Sequence, residues 1–184
     1  MQIYLLSNDL SCYDAFRYYF EKESDALPVY ADFSDFMRTY SVECVVSPAN
    51  SFGLMDGGYD EAITEHYGDA LQKRVQEYIL AHYYGEQPVG TSFIIDAGVK
   101  GQKLIHTPSM RTPSVIKEVR VVYQCMRTTL MCAIENGISS IVIPAFGAAT
   151  GGVPAMTVAY YMKKAYDQIK NPPREITWQT IERF

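Results

Sequence analysis

The most informative segment for the fold is VVSPANSFGLMDGGYD, residues 45–60. It opens as an apolar run typical of a buried parallel strand, and Pro48 ends that strand because proline has no N–H for the ladder. The glycine pair Gly57-Gly58 follows, and Asp60 and Glu61 are the acidic residues expected in the first turn of a helix. The segment therefore predicts a strand, a glycine loop and a helix in that order.

A second segment of the same kind lies at residues 141–154. Ile141 to Ile143 is an apolar strand that stops at Pro144, and a glycine-rich loop leads to Pro154, a residue suited to the first turn of a helix. In an open α/β sheet, such loops and helix N-termini bind anions at the carboxyl edge of the sheet. If the two strands are neighbours, their loops form one crevice with two anion-binding walls, which suits a diphosphate.

Strands alternate with helices along the rest of the chain, which favours a layered α/β fold with a mainly parallel sheet. The longest predicted helix runs from Ser114 to Asn136, with Val115 and Ile134 among the residues of its inner face. Ser34 is predicted to cap a short helix. Alternation over residues 176–184 predicts a last strand. His106, which lies within an apolar strand, is predicted to be a hydrogen-bonded core histidine.

Length and composition indicate one globular domain, residues 1–184. Hydrophobic residues make up 48% of the chain and charged residues 20%. The net charge of −5 argues against binding to a nucleic-acid backbone. No apolar run is long enough to cross a membrane, and the N-terminal residues lack the basic region of a signal peptide, so we expect a cytoplasmic protein. The four cysteines show no C-x-x-C spacing and are interpreted as core thiols, with no metal site.

Three segments in order, residues 45–60, 104–108 (LIHTP) and 141–154, resemble the macro domain, the ADP-ribose-binding α/β module. The resemblance covers residues 27–169. It implies a three-layer α-β-α fold with a mixed, mainly parallel sheet of about six strands. It also implies that the ligand is ADP-ribose or an ADP-ribosylated substrate and that no cofactor is needed.

The resemblance also assigns site residues. Asp32 matches the family's adenine-binding aspartate, with Phe33 beside it. Asn50, preceded by Ala49, matches the asparagine expected near the distal ribose, and we assign it a catalytic role in orienting that ribose. Asp60 stands ten residues after Asn50, as the catalytic aspartate does in members that hydrolyse ADP-ribosyl bonds. The two phosphate-binding loops correspond to Gly57, Gly58 and Tyr59 and to Gly147, Ala148, Ala149, Thr150, Gly151 and Gly152.

Two departures from the family pattern bear on turnover. The second loop has Ala148-Ala149 where a Ser-Thr-Gly run and an aromatic residue are usual, so hydroxyl donors and an aromatic wall near the distal ribose are lost. Asp56 adds negative charge close to the expected diphosphate, which is unfavourable unless its side chain points outward.

Each assigned residue also has a purely structural interpretation. Asp60 is expected to be ionised at neutral pH, with an unperturbed pKa of about 3.9, and either activates a water or only favours the helix start. Asn50 either contacts the ligand or satisfies backbone groups in a turn. The glycines either bind an anion or form ordinary turns.

Two functions compete. The first is a metal-independent hydrolase that removes ADP-ribose from carboxylate-linked acceptors or deacetylates O-acetyl-ADP-ribose, and Asp60 favours it. The second is a non-catalytic module that binds ADP-ribose or a related NAD-derived nucleotide, and the altered second loop favours it. A dinucleotide oxidoreductase and a P-loop nucleotidase are poor alternatives, because the chain lacks their glycine motifs. The oligomeric state is left open.

Overall fold

The computed structural model describes residues 1–181 and contains six strands and seven helices in that range. The strands are β1 (Gln2–Ser7), β2 (Ala26–Tyr30), β3 (Cys44–Ser47), β4 (Phe93–Asp96), β5 (Lys103–His106) and β6 (Ser140–Pro144). The helices are α1 (Leu10–Phe20), α2 (Phe33–Thr39), α3 (Gly58–Tyr67), α4 (Ala70–Tyr83), α5 (Val121–Glu135), α6 (Ala155–Lys170) and α7 (Trp178–Ile181). None of these helices is long and apolar enough to cross a bilayer.

All six strands form one sheet in the order β2-β1-β6-β3-β5-β4. Every neighbouring pair is parallel except β4–β5, so the sheet is mixed and mainly parallel as predicted. β3 and β6 are adjacent, with Cys44 beside Ile141 and Val45 beside Val142. The two loops that follow these strands therefore start from the same edge of the sheet.

Helices cover both faces of the sheet, which gives the predicted three layers. Successive side chains of a strand point to opposite faces, so Ile141 and Ile143 pack with α1, α5 and α6, whereas Val142 packs with α2, α3 and α4. Strands buried on both faces explain the near-continuous apolar runs in β3 and β6.

The long helix predicted from Ser114 starts seven residues later, at Val121. Residues 114–120 are irregular, and Ile116 donates its backbone N–H to the carbonyl oxygen of Gly151 at 2.9 Å. Val115 and Ile134, predicted to face the core, are 69% and 53% exposed. The apolar residues before α5 therefore cover the second glycine loop and do not extend the helix.

The predicted last strand is wrong where the structure describes it. Residues 178–181 form the short helix α7, and the backbone N–H of Thr180 donates to the hydroxyl of Thr177 at 3.2 Å, as at a helix start. The central positions of the sheet are already filled, because β6 pairs with β1 and β3 on its two sides. Residues 182–184 of the predicted strand lie outside the described residues.

The cap of α2 also differs from the prediction. Asp32, not Ser34, precedes the first turn, and its carboxylate accepts the backbone N–H of Asp35 at 2.7 Å. An aspartate in this position satisfies one of the free donors at the start of a helix.

Candidate functional site

A cleft of about 910 Å³ lies at the carboxyl edge of the sheet. Its walls come from the segments that follow β1, β2, β3, β5 and β6. Parallel strands present their carboxyl ends at one edge, so side chains far apart in sequence meet there. The two glycine loops predicted to share a crevice do line this one cleft.

The first wall is the loop that leads into α3. The backbone N–H groups of Gly57, Gly58 and Tyr59 have no acceptor within residues 1–181, and α3 has no side-chain cap. Gly58 has a φ of +58°, a left-handed conformation that glycine adopts without strain. Asp56 is exposed at the rim of the cleft. This wall offers backbone donors and the positive end of a helix dipole to an anion.

The second wall is the loop between β6 and α6. A Cβ atom on Gly151 would lie 2.5 Å from the carbonyl oxygen of Gly147, so only glycine fits there. The loop is closed by hydrogen bonds from Val153 N–H to Gly147 O and from Gly152 N–H to Ala149 O. The loop N–H groups that have no acceptor among the described residues include those of Gly147, Ala149, Thr150 and Gly151.

Four helices begin at the cleft, and they differ in whether a side chain caps the first turn. α1 and α2 are capped by aspartates, since Asp9 accepts the N–H of Cys12 at 2.8 Å and Asp32 accepts that of Asp35. α3 and α6 have no side-chain cap. The helix starts beside β3 and β6 therefore leave backbone N–H groups open to an anion, whereas those beside β1 and β2 are occupied by carboxylates.

Asp60 lies in the first turn of α3 and is 8% exposed. Its carboxylate accepts a hydrogen bond of 2.6 Å from the hydroxyl of Ser47, the last residue of β3. Burial raises the pKa of Asp60 to about 7, and the Ser47 hydrogen bond lowers it in part. The expectation that Asp60 is fully ionised at neutral pH is thus wrong, since near pH 7 both forms of the carboxyl group are present.

The side chain of Asn50 is bonded to its own loop. Its Oδ1 accepts the N–H groups of Phe52 at 3.1 Å and Leu54 at 3.4 Å, and its Nδ2 donates to the Leu54 carbonyl at 2.8 Å. Asn50 thus satisfies backbone groups of its loop, and one amide hydrogen remains for the predicted contact with a ligand.

His106 is the hydrogen-bonded core histidine that was predicted. It is fully buried, and its Nδ1 lies 2.6 Å from Oε1 of Gln87. Since the amide nitrogen of Gln87 donates to the Thr91 and His106 carbonyl oxygens, its Oε1 is the acceptor and Nδ1 carries the proton. Burial lowers the pKa of His106 to about 3, so the ring is neutral.

Thirteen of the fourteen sequence-assigned site residues lie on the cleft: Asp32, Phe33, Ala49, Asn50, Gly57, Gly58, Tyr59, Asp60, Gly147, Ala148, Ala149, Thr150 and Gly151. Gly152 is not part of the lining, and its N–H is used within the loop. Among the described residues, no group of His, Cys, Asp and Glu side chains is arranged to hold a metal ion.

Sequence reasoning missed the wall formed by the β1–α1 loop. Ser7, Asn8 and Asp9 line the cleft there, and Ser109 and Met110 line it after β5. The β1–α1 junction also runs from strand to loop to helix, but it has no glycine to mark it as a ligand loop. Ser47 was missed as well, because its contact with Asp60 joins positions thirteen residues apart.

Comparison with known proteins agrees with this geometry. The macro domain family model matches residues 46–162. A relative from Aquifex aeolicus, described as an uncharacterized protein, is 31% identical over 121 residues, which cover 65% of this chain and 70% of that protein.

Among solved structures, the Oceanobacillus iheyensis macrodomain with MES bound has a TM-score of 0.62 and 25% identity, over 71% of this chain and 70% of that one. The same macrodomain with ADP has a TM-score of 0.61 and 25% identity, over 69% and 68%. The family model covers more than half of the sequence, and with the shared α/β architecture it shows that this chain belongs to the macro domain family.

Proposed function

We propose that this protein binds ADP-ribose in the cleft and hydrolyses ADP-ribosyl ester bonds, as a mono-ADP-ribosyl-protein hydrolase or an O-acetyl-ADP-ribose deacetylase. The observation that carries the proposal is the pair of glycine loops on adjacent strands β3 and β6, with free N–H groups and the buried carboxylate of Asp60 in the same cleft. The related Oceanobacillus iheyensis macrodomain, solved with ADP, supports a nucleoside diphosphate as the ligand class.

The diphosphate is assigned to the two uncapped helix starts. Backbone N–H groups bind phosphate oxygens without cationic side chains, which agrees with the net charge of −5. The base end of the ligand is assigned to the half of the cleft that contains Asp32 and Phe33. A carboxylate oxygen there accepts a hydrogen bond from an exocyclic amine, and an aromatic ring packs against a base.

Asp60 is assigned the role of base in the hydrolysis of a carboxylate-linked acceptor. The oxygen of a water molecule attacks the anomeric carbon of the distal ribose, the bond from that carbon to the acceptor oxygen breaks, and the acceptor leaves as a carboxylate. The water proton passes to Asp60. A pKa near 7 suits this role, because a general base works best when its pKa is close to the operating pH.

One observation favours the second candidate, a binding module without turnover. Both hydrogen bonds accepted by Asn50 Oδ1 come from the loop backbone, and Ala148 and Ala149 offer no side-chain donor to the distal ribose. Binding through backbone N–H groups does not depend on either feature. The two candidates therefore share the ligand and differ in whether the bond is cleaved.

The deciding experiment incubates the protein with a glutamate-linked ADP-ribosylated acceptor and, separately, with O-acetyl-ADP-ribose. Wild type is compared with Asp60→Ala, Asn50→Ala and the control Glu61→Ala, which changes an exposed carboxylate in the same helical turn. We expect release of ADP-ribose by wild type and the control and a loss of at least about 100-fold for Asp60→Ala. Calorimetric titration with ADP-ribose, AMP and NAD gives the ligand ranking. Tight binding of ADP-ribose without release by wild type would establish the binding module instead.

A further inference from the structure

The carboxylate of Asp60 has one hydrogen-bond donor among the described residues. That donor is the hydroxyl of Ser47, at 2.6 Å from Oδ1. No lysine, arginine or histidine in residues 1–181 forms an ion pair with Asp60. An ionised carboxylate that is nearly buried and has no cationic partner is costly. The Ser47 hydroxyl therefore strongly affects how readily Asp60 ionises.

Ser47 is held in a single position by the sheet. It is fully buried at the end of β3, and its carbonyl oxygen accepts the N–H of Thr107 at 2.9 Å. Pro48 follows it and fixes the direction in which the chain leaves the strand. The Ser47 hydroxyl has one proton, and its only acceptor in the described part of the chain is Asp60.

The other ionisable groups around this pair do not stabilise a negative charge on Asp60. Tyr59 and Tyr67 are phenols of α3 whose pKa values burial raises, and they stay neutral. His106, directly across the β3–β5 pair from Ser47, is also neutral. The nearby carboxyl groups are exposed: Asp56 in the first loop, Glu61 in α3 and Asp32 at the start of α2. The Ser47 hydroxyl and the N-terminal end of α3 are therefore the groups that favour ionised Asp60.

We propose that Ser47 is the positioning residue of this site, whose hydroxyl fixes the Asp60 carboxylate at the cleft and keeps it able to accept a proton from water. The second part of this inference rests on the proposed hydrolase function. The first part, the control of Asp60 by Ser47, does not need turnover and is measured separately.

The test is a carbon-13 NMR titration of the aspartate carboxyl groups in the intact protein. The Asp60 signal is assigned by its loss in Asp60→Asn. We expect a midpoint near 7 in wild type and an upward shift of about one pH unit or more in Ser47→Ala, because a hydrogen bond to the ionised form is removed. Ser47→Thr keeps the hydroxyl and restores the midpoint. Ser51→Ala removes a buried hydroxyl that has no partner and leaves the midpoint at its wild-type value.

The same variants are then assayed for ADP-ribosyl ester hydrolysis between pH 6 and pH 9. At pH 7 we expect a loss of about five-fold for Ser47→Ala, since the ionised fraction falls from about a half to about a tenth. Most of this loss is recovered at pH 9, where Asp60 is ionised in both proteins. A variant that is merely less well folded would lose activity at every pH.

An unchanged Asp60 midpoint in folded Ser47→Ala would overturn the inference, whatever the activity. An equal loss of hydrolysis at pH 7 and pH 9 would overturn the catalytic part of it. If wild type shows no hydrolysis but the midpoint shifts, the control of Asp60 by Ser47 stands and the proposed hydrolase function fails.

Discussion

We predict that replacing Asp60 by asparagine makes the protein more stable at alkaline pH. Asp60 is 8% exposed and has no cationic partner in residues 1–181, so folding must desolvate its charge. Asparagine has the same shape, carries no charge and can still accept the Ser47 hydrogen bond. The variant therefore removes the cost of a buried charge while it keeps the packing.

The magnitude follows from the pKa. The Asp60 pKa is about 7 in the folded protein against 3.8 without burial. Because the folded state holds the Asp60 proton more tightly, the contribution of Asp60 to the free energy of unfolding falls as the pH rises above 3.8, and the fall levels off above about 7. A shift of about three pH units corresponds to about 4 kcal/mol. We expect Asp60→Asn to gain about 4 kcal/mol over wild type at pH 8 and less than about 1 kcal/mol at pH 4.

The assay is urea denaturation followed by far-ultraviolet circular dichroism at pH 4, 6 and 8. Fluorescence is a poor probe, because the one tryptophan, Trp178, is 83% exposed in the folded protein. Because wild type and Asp60→Asn are compared at each pH, the titration of all other groups contributes equally to both and cancels in the difference in stability. The control Glu61→Gln changes an exposed carboxyl group one residue away and should differ from wild type by less than about 0.5 kcal/mol at each pH. If the stability profiles of Asp60→Asn and wild type ran parallel from pH 4 to pH 8, Asp60 would not carry a buried charge at alkaline pH.

Three further predictions concern other parts of the molecule. Gly151→Ala places a methyl group 2.5 Å from the carbonyl oxygen of Gly147, so the second loop must move. Calorimetry should then show an affinity for ADP-ribose that is at least about ten-fold lower, and an affinity equal to that of wild type would contradict this. His106→Gln breaks the hydrogen bond to Gln87 and should cost about 2 kcal/mol at pH 7.5 in urea denaturation. That deficit should shrink below pH 6.5. There the histidine of the unfolded wild type takes up a proton, whereas folded His106, with a pKa of about 3, does not, so wild type loses stability that the variant never had. A deficit that stays constant with pH would argue against a neutral buried ring. Burial raises the pKa of Cys12 to about 11, and partial burial does the same for Cys132, which is therefore not the core thiol that was expected. Both thiols should react with a disulfide reagent at pH 8 far more slowly in the native protein than in guanidinium, and rapid labelling of native Cys12 would contradict its burial.

Local sequence signals predicted the two glycine loops well. Pro48 and Pro144 end strands because proline cannot continue the ladder, and the glycines after them mark tight loops before a helix. These signals act over a few residues, so they can be read without knowledge of the rest of the fold. These local signals do not show that β3 and β6 are neighbours. The strand order in the structure does, and it brings the two loops together.

Features that depend on distant contacts were not predictable in the same way. The β1–α1 loop joins the cleft only because β1 lies between β2 and β6. The pKa of Asp60 depends on its burial under the first loop and on its contact with Ser47, and neither is visible from the spacing of the motif. The apolar residues 115 and 116 fit a helical pattern, but a contact with the second loop determines their position.

The aspartate caps of α1 and α2 bear on which nucleotides the cleft can bind. Asp9 and Asp32 place carboxylates beside β1 and β2, whereas α3 and α6 begin with backbone N–H groups that no side chain caps. A nucleotide with an extra phosphate on the sugar next to its base would bring that group against two aspartates. Like charges repel, so we expect the caps that begin two helices to weaken the binding of such a phosphorylated nucleotide relative to its unphosphorylated counterpart.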